Sequence, residues 1–359
     1  MGHRGGFSGM GARSLVFSAC LLAGLSGAAL AQKPPLPPVP APMGVPHAGP
    51  AVTNGTYQPQ PILPGGIVMP LYPSGSPFLH KARVGEAEQY TMDPDVPGRI
   101  QRIVNIHNPS MEVHLVPRAA NTGAAIILIP GGGHRTLVVG LEGVDPVPYF
   151  FNYGVNTIIL RSRLRTDGYD PKTDEVYDLQ QAIRMVRAHA AEWRIDPHKI
   201  GVMGFSAGAE LAMAAAIQYP AFDAANNKAD DPLAGVSSRP DFVASIYPGP
   251  SLFTKGGTPA IPKDAPPSFI VCAGWGDKVH AIWATEYFTA MLNAGIPNVE
   301  MHIFARGHHG MGLSWRDGTA LGRWPVRFTD WFTDLGFLGK PGDATQAARD
   351  VQDFTAAKP

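Results

Sequence analysis

The stretch Ile200-Gly201-Val202-Met203-Gly204-Phe205-Ser206-Ala207-Gly208 decides how this chain is read. Ile200–Gly204 is a short apolar run of strand length, and the Ala-, Leu- and Met-rich segment Ala207–Tyr219 reads as helix. Between them stands G-x-S-x-G. Between a buried strand and a helix this pattern is a nucleophile elbow, a turn so sharp that the serine takes a strained backbone and its hydroxyl stands above the carboxyl edge of a sheet. Glycine at 204 and 208 leaves room for the neighbouring strand and helix. The start of the helix favours negative charge that develops near it.

The alternation repeats on either side of the elbow. Arg99–Ile106 and Met111–Val116 read as early strands. Ala124–Ile129, Asn156–Leu160, Phe242–Tyr247 and Phe269–Ala273 are continuous apolar runs of the kind that lie buried on both faces, and Glu300–Phe304 is a last strand. Asp174–Trp193, Ile282–Asn293 and Pro325–Leu335 space their apolar residues as amphipathic helices do. Strands alternating with helices predict an α/β fold, a mainly parallel central sheet with helices on both faces. Composition agrees. The chain has 359 residues, 45% hydrophobic, enough for one large core. Lysine plus arginine equals aspartate plus glutamate at 29 each, and this balance argues against a nucleic-acid binder. With 16% charged residues the chain is no solvated acidic coil, and no sustained period points to collagen or a coiled coil.

The ends read differently. Residues 1–31 have Arg4 and Arg13 as their only charges, an apolar stretch from Ser14 to Leu30, and Ala29-Leu30-Ala31 as a cleavage signal. This predicts a secretory signal peptide cut after Ala31, and a secreted or periplasmic protein with no stable membrane insertion after cleavage. The remainder would keep a single cysteine, Cys272, so no intrachain disulfide is expected. Fourteen prolines fall between Pro34 and Pro77, which predicts an extended arm or linker over 32–79. The folded domain is then expected over 80–338 and a fraying tail over 339–359. The Gly-, Pro-, Asn- and Asp-rich stretches 221–240 and 249–267 are expected to roof the site.

A serine hydroxyl needs a base, and the base needs a carboxylate to fix its tautomer. Asp277 follows the strand Phe269–Ala273, and His308 and His309 follow the strand Glu300–Phe304, so both groups leave the same edge of the sheet as Ser206. Asp264 precedes its strand and falls at the wrong end. Either histidine fits this spacing. Pro130-Gly131-Gly132-Gly133-His134 follows another buried strand, and its glycines can turn backbone N–H groups inward. The amides of Gly132 and Gly133, with that of Ala207, are the expected oxyanion hole. No Gly-Lys-Ser/Thr follows the glycines, so a nucleotide loop is not indicated.

Taken together, Pro130–Gly133, Glu142-Gly143, Arg163, Asp178 with Ala182-Ile183-Arg184, Gly204–Gly208, Asp277 and Gly307–Gly312 carry a resemblance. Over Asn105–Leu338 the chain resembles α/β-hydrolases of the feruloyl-esterase and acetylxylan-esterase-like group. The resemblance implies an α/β-hydrolase fold and a serine carboxylic-ester hydrolase acting on acetyl or feruloyl-type carbohydrate esters, or on short-chain esters. It implies no metal and no cofactor, and a small-molecule or carbohydrate ester as partner. It also places His309 at the catalytic position, with His308 in place of a glycine. The chain departs from the group's pattern in three places: Ala209-Glu210 for Gly-His, His134 for an aromatic residue, and Ser162 for tyrosine beside Arg163. His134, Glu210 and His308 are therefore candidate substrate-pocket residues, and Glu210 requires a partner such as Arg163 or His134. The rival readings are a serine peptidase of the same fold and a non-catalytic carbohydrate-binding pseudo-hydrolase.

Overall fold

The computed structural model describes residues 1–2, 34–42, 55–313 and 318–357. The expected signal peptide over 1–31 lies, beyond its first two residues, outside the described residues.

An eight-stranded sheet forms the centre. Its strands are β1 (Ile67–Pro70), β4 (Ser110–His114), β5 (Ala125–Ile129), β6 (Asn156–Arg161), β7 (Ile200–Phe205), β8 (Val243–Ile246), β9 (Ser268–Trp275) and β10 (Glu300–Arg306). The spatial order is β1-β4-β6-β5-β7-β8-β9-β10. β1, β4 and β6 pair antiparallel, and every pair from β6 to β10 is parallel. A separate hairpin joins β2 (Gln89–Met92) to β3 (Ile100–Val104). The predicted parallel strands therefore exist, and those at the centre are buried along their whole length, as continuous apolar sequence requires.

Helices cover both faces, and the core divides accordingly. On one face α2 (Val176–Ala188), α3 (Ala190–Trp193), α4 (Ala207–Ala225) and α5 (Lys278–Asn293) pack over Ile127, Val202, Val243 and Ile270. On the other, α1 (Pro146–Phe151), α6 (Trp324–Asp334) and α7 (Gln346–Ala356) pack over Ile126, Met203, Ala244 and Phe269. Alternate residues of one strand thus feed opposite cores, the period-two geometry of a sheet.

Two boundaries differ from expectation. From residue 55 the chain is folded against the domain, and Tyr57, Ile62, Val68, Met69 and Leu71 are buried. β1 is an edge strand, where proline is tolerated because one side needs no ladder partner. A buried acid fixes this segment: Glu112 accepts the backbone N–H of Ile62 at 2.6 Å and of Leu63 at 2.9 Å. Arg161, fully buried beneath, binds Glu88 at 3.0 Å and lies 3.6 Å from Glu112. At the other end, α7 occupies most of the expected tail, and Lys199 Nζ donates to the carbonyls of Gly339 and Lys340. The expected roof also divides. Residues 226–236 are held by Arg184, which reaches Asn226, Asp231, Leu233 and Val236. This places them past the far end of α4, away from Ser206. Only the 249–257 part lies near the elbow.

Replacing Glu112 with alanine strips two backbone amides of their acceptor and leaves buried Arg161 undercompensated. The expected loss is about 3–5 kcal/mol of unfolding free energy, read as a lower urea midpoint with an unchanged m-value.

Candidate active site

The elbow forms where the sequence places it. β7 ends at Phe205, α4 begins at Ala207, and Ser206 between them adopts φ 52°, ψ −118°. This backbone region is costly for a residue with a Cβ and persists only where its surroundings enforce it. Here they do. The Ser206 N–H donates to Ile246 O at 2.9 Å. A Cβ on Gly204 would meet Gly208 backbone, and one on Gly208 would meet Ile129 O, so helix, strand and turn approach at a distance only glycine allows.

Ser206 Oγ lies 2.7 Å from His309 Nε2, and His309 Nδ1 lies 3.0 Å from Asp277 Oδ2. His309 follows β10. Asp277 caps α5, two residues beyond β9. Hydroxyl, imidazole and carboxylate therefore meet at the carboxyl edge of the sheet from three separate loops. Burial alone would raise the Asp277 carboxyl, but hydrogen bonds from His280 and His309 outweigh it and hold it below the usual aspartate range. His308 is exposed, and its Nδ1 lies 3.1 Å from the carbonyl of His309 rather than near Ser206. Asp264 sits before β9 and hydrogen-bonds Tyr219 at the opposite edge.

The glycine loop after β5 runs beside the serine. Gly132 and Gly133 take φ values of 131° and 65°. At Gly132 a side chain would strike Thr136 O, which accounts for glycine there. The N–H of Gly131 already donates to Glu142 Oε2 at 2.7 Å. Ala207 is the first residue of α4, at the positive end of a nineteen-residue helix.

Several residues near the site are given no role by the sequence, although Glu142 belongs to the motifs of the resemblance. Glu142, buried in a helical turn over Gly140–Val144, accepts a hydrogen bond from the Tyr247 hydroxyl at 2.8 Å. That hydroxyl in turn accepts the N–H of Gly312 at 2.9 Å. The Tyr247 ring stands edge-on to His309 with centroids 5.0 Å apart. His280 hydrogen-bonds the free oxygen of Asp277, and its ring stacks on His309 at 3.8 Å and 22°. Its position three residues after Asp277, at the start of a helix, was a usable clue, since such neighbours share a helix face.

His134 and Glu210 meet as a pair. His134 Nδ1 lies 2.7 Å from Glu175 Oε2, and Nε2 lies 3.3 Å from Glu210 Oε2. Burial opposes a charge on the ring, but hydrogen bonds donated to Glu175 and Glu210, with the charges of these two acids, outweigh it and raise the imidazole to about 9. His134 therefore carries its charge at neutral pH. Arg163 is not the partner of Glu210, because Asp178 and Asp174 already hold it. Glu210 is also not fully buried: its side chain keeps 24% exposure. It faces a cleft of about 400 Å³ lined by His134, Lys172, Leu211, Ser251 and Trp283. Ser162 is buried behind the site. No helix among the described residues is long and apolar enough to cross a membrane.

Comparison with known proteins shows what the chain is similar to. Residues 111–248 match the BD-FAE family model. An acetylxylan esterase from Xylanibacter ruminicola is 27% identical over 241 residues, 63% of this chain and 47% of that protein. The endo-1,4-beta-xylanase B of Butyrivibrio fibrisolvens is 26% identical over 216 residues, 53% of this chain and 32% of that protein. The chain therefore spans half or less of the length of these curated relatives. Among solved structures, an acetyl ester-xyloside bifunctional hydrolase from Caldicellulosiruptor lactoaceticus superposes with a TM-score of 0.61 at 26% identity, covering 76% of this chain and 98% of that one. The chain thus has an α/β-hydrolase fold, within which residues 111–248 are similar to the BD-FAE family.

Proposed function

We propose that the chain is a serine carboxylic-ester hydrolase that removes acetyl or feruloyl-type groups from carbohydrate esters, or cleaves short-chain esters. The observation that carries this reading is the unbroken hydrogen-bonded line from Ser206 Oγ through His309 to Asp277, set at the N-terminus of α4. The names of similar proteins, an acetylxylan esterase and an acetyl ester-xyloside hydrolase, favour the same substrate class.

The chemistry follows from the geometry. His309 Nε2 takes the proton of Ser206 as Oγ attacks the ester carbonyl carbon. The carbonyl oxygen gains negative charge and is met by the amides of Gly132, Gly133 and Ala207, near the positive end of α4. Gly131 takes no part, since its N–H is committed to Glu142. Collapse expels the alkoxide, which His309 protonates. Water then gives a proton to His309 and attacks the acyl-serine. The acid leaves, and the proton returns to Ser206 Oγ. Asp277 keeps Nδ1 protonated and steadies the imidazolium that forms. Glu210, His134 and Trp283 bound the adjoining cleft and present polar groups and one aromatic face to the alcohol portion of the ester. Residues 1–31 are read as a secretion leader, and the intact mass of the exported chain is expected to begin at Gln32; a mass that retains residues 1–31 overturns this.

Ser206→Ala is expected to lower kcat/KM for p-nitrophenyl acetate by about 10⁴-fold or more, and Asp277→Asn by about 10³–10⁴-fold. A fluorophosphonate should label the parent chain and not Ser206→Ala. His308→Ala should stay within a few-fold of the parent. Acetate release from acetylated xylo-oligosaccharides with no cleavage of a prolyl amide supports the esterase. The reverse result favours a peptidase, and well-folded protein inert to both substrates and to the probe favours a binding protein.

The raised His134 imidazole makes a second prediction. Its folded value of about 9 lies above the value near 6.5 for an unfolded chain. Its contribution is therefore fully present below about pH 6.5 and is lost as pH rises through about 9, a loss of about 3 kcal/mol at most. Urea denaturation at pH 6.5 and pH 9.5 reads this slope, and His134→Gln should flatten it.

A further inference from the structure

Two members of the hydrolytic line, Asp277 and His309, belong also to a donor set completed by His280, which hydrolysis does not need. Asp277, His280 and His309 each offer one ligand atom, and the three atoms lie within 4.8 Å of one another. The arrangement is built by two elements. Asp277 and His280 sit three residues apart at the start of α5, where that spacing points both side chains to one side. His309 comes in from the loop after β10 and lies flat on His280. The stacking aligns the two imidazoles so that their Nδ1 edges face one carboxylate, His309 on Oδ2 and His280 on Oδ1. Asp277 is buried, while His280 and His309 keep 19% and 32% of their side-chain surface exposed, so an ion can reach the group from solvent.

We propose that Asp277, His280 and His309 form a binding site for a divalent transition metal of the zinc type, and that the bound ion switches the Ser206 site off. The proposal rests on the hydrolase reading for its consequence but not for its ligands. Two imidazoles and a carboxylate are a borderline donor set that zinc favours, with a fourth position left for water. The mode of inhibition follows from the imidazole itself. In the working state His309 carries its proton on Nδ1, towards Asp277, and offers the Nε2 lone pair to Ser206. A metal on Nδ1 displaces that proton to solvent, and the ring takes up one proton from solvent at Nε2, so that it stays neutral as the other tautomer. Nε2 becomes a donor to Ser206 Oγ and no longer accepts its proton. Asp277 is drawn to the metal at the same time and no longer orients the base. One ion thus removes both functions that make the serine a nucleophile, with Ser206 and the glycine loop undisturbed.

The test separates binding from turnover. Zinc chloride is titrated calorimetrically into Ser206→Ala, which keeps all three ligands and cannot turn over. One ion per chain is expected. Adding His280→Phe keeps a ring against His309 but removes the donor, and affinity should fall roughly tenfold or more. Circular dichroism checks folding, and His280→Gln serves as the second variant if the phenylalanine is not tolerated. In the parent chain, zinc should suppress p-nitrophenyl acetate hydrolysis over the concentration range in which it binds, and a chelator should restore it. The residual turnover of the His280 variant should resist zinc over that range. Absence of stoichiometric binding, affinity unchanged without His280, or parent turnover unaffected at saturating zinc each overturns the proposal. A parent chain with no turnover at all refutes the hydrolase reading and the switch with it, while the calorimetry alone still decides whether the three residues bind metal.

Discussion

The carboxyl of Glu142 is the junction on which the site depends. It is buried, with one oxygen on the N–H of Gly131 and the other on the hydroxyl of Tyr247, which in turn accepts the N–H of Gly312. Those partners belong to the loops after β5, β8 and β10, which are the glycine loop, the wall beside the base and the loop that carries His309. Burial pushes the Glu142 carboxyl and the Tyr247 phenol up, and a group so enclosed stabilises a fold only when its partners are all present. The consequence is mutual enforcement. Tyr247 sits at φ 38°, a strained backbone for an aromatic residue, and its hydroxyl is held at the far end. The backbone of Gly131 is pressed so close to Phe205 and Ser206 that no side chain fits. Loops distant in sequence thereby share one anchor, which lets serine and imidazole meet at hydrogen-bond distance without relying on the loops' own stiffness.

What could be read from the sequence was what local pattern writes. Apolar runs of strand length, helical spacing and the glycines around Ser206 each act over a few residues, so the alternating architecture and the elbow were visible. Asp277 and the pair His308 and His309 followed from chain order after two such strands, and the family resemblance alone singled out His309. Glu142 was invisible as a hub because its partners lie 11 and 105 residues away, and a lone acid in a Gly-Leu-Glu-Gly context has no periodic signature. Prolines suggested a free arm where the chain instead packs an edge strand. Extended backbone was the correct local conformation, but a buried carboxylate 49 and 50 residues further on decides where that backbone lies. The tail over 339–359 misled for the same reason, since the segment leading into its helix is tied down at Gly339 and Lys340 by Lys199, far back in the chain.

The same contrast runs through the electrostatics. Only 16% of residues are charged, yet Arg161, Arg163, Asp178, Glu112 and Glu142 are almost wholly buried. Each sits where distant segments must be joined. Arg163 clasps Asp178 in α2, donates to the carbonyl of Phe78 and lies over the rings of Tyr72 and Tyr169. Such pairs add little net stability over apolar packing, but removing one partner is costly. Their effect here is to fix which surfaces meet: the amino-terminal segment is held by Arg161 with Glu112 and by Arg163, and the 226–236 segment by Arg184. The buried minority of the charges thus fixes register.

The separation of 103 residues between Ser206 and His309 carries a temporal meaning. A ribosome delivers the elbow well before β10, an edge strand whose residues remain largely solvent-accessible and which docks only on β9. Until that final strand closes, a nascent polypeptide holds a contorted serine with nothing to accept its proton. On the proposed mechanism, cutting competence is withheld from the unfinished chain, and premature termination anywhere ahead of residue 309 leaves an inert fragment.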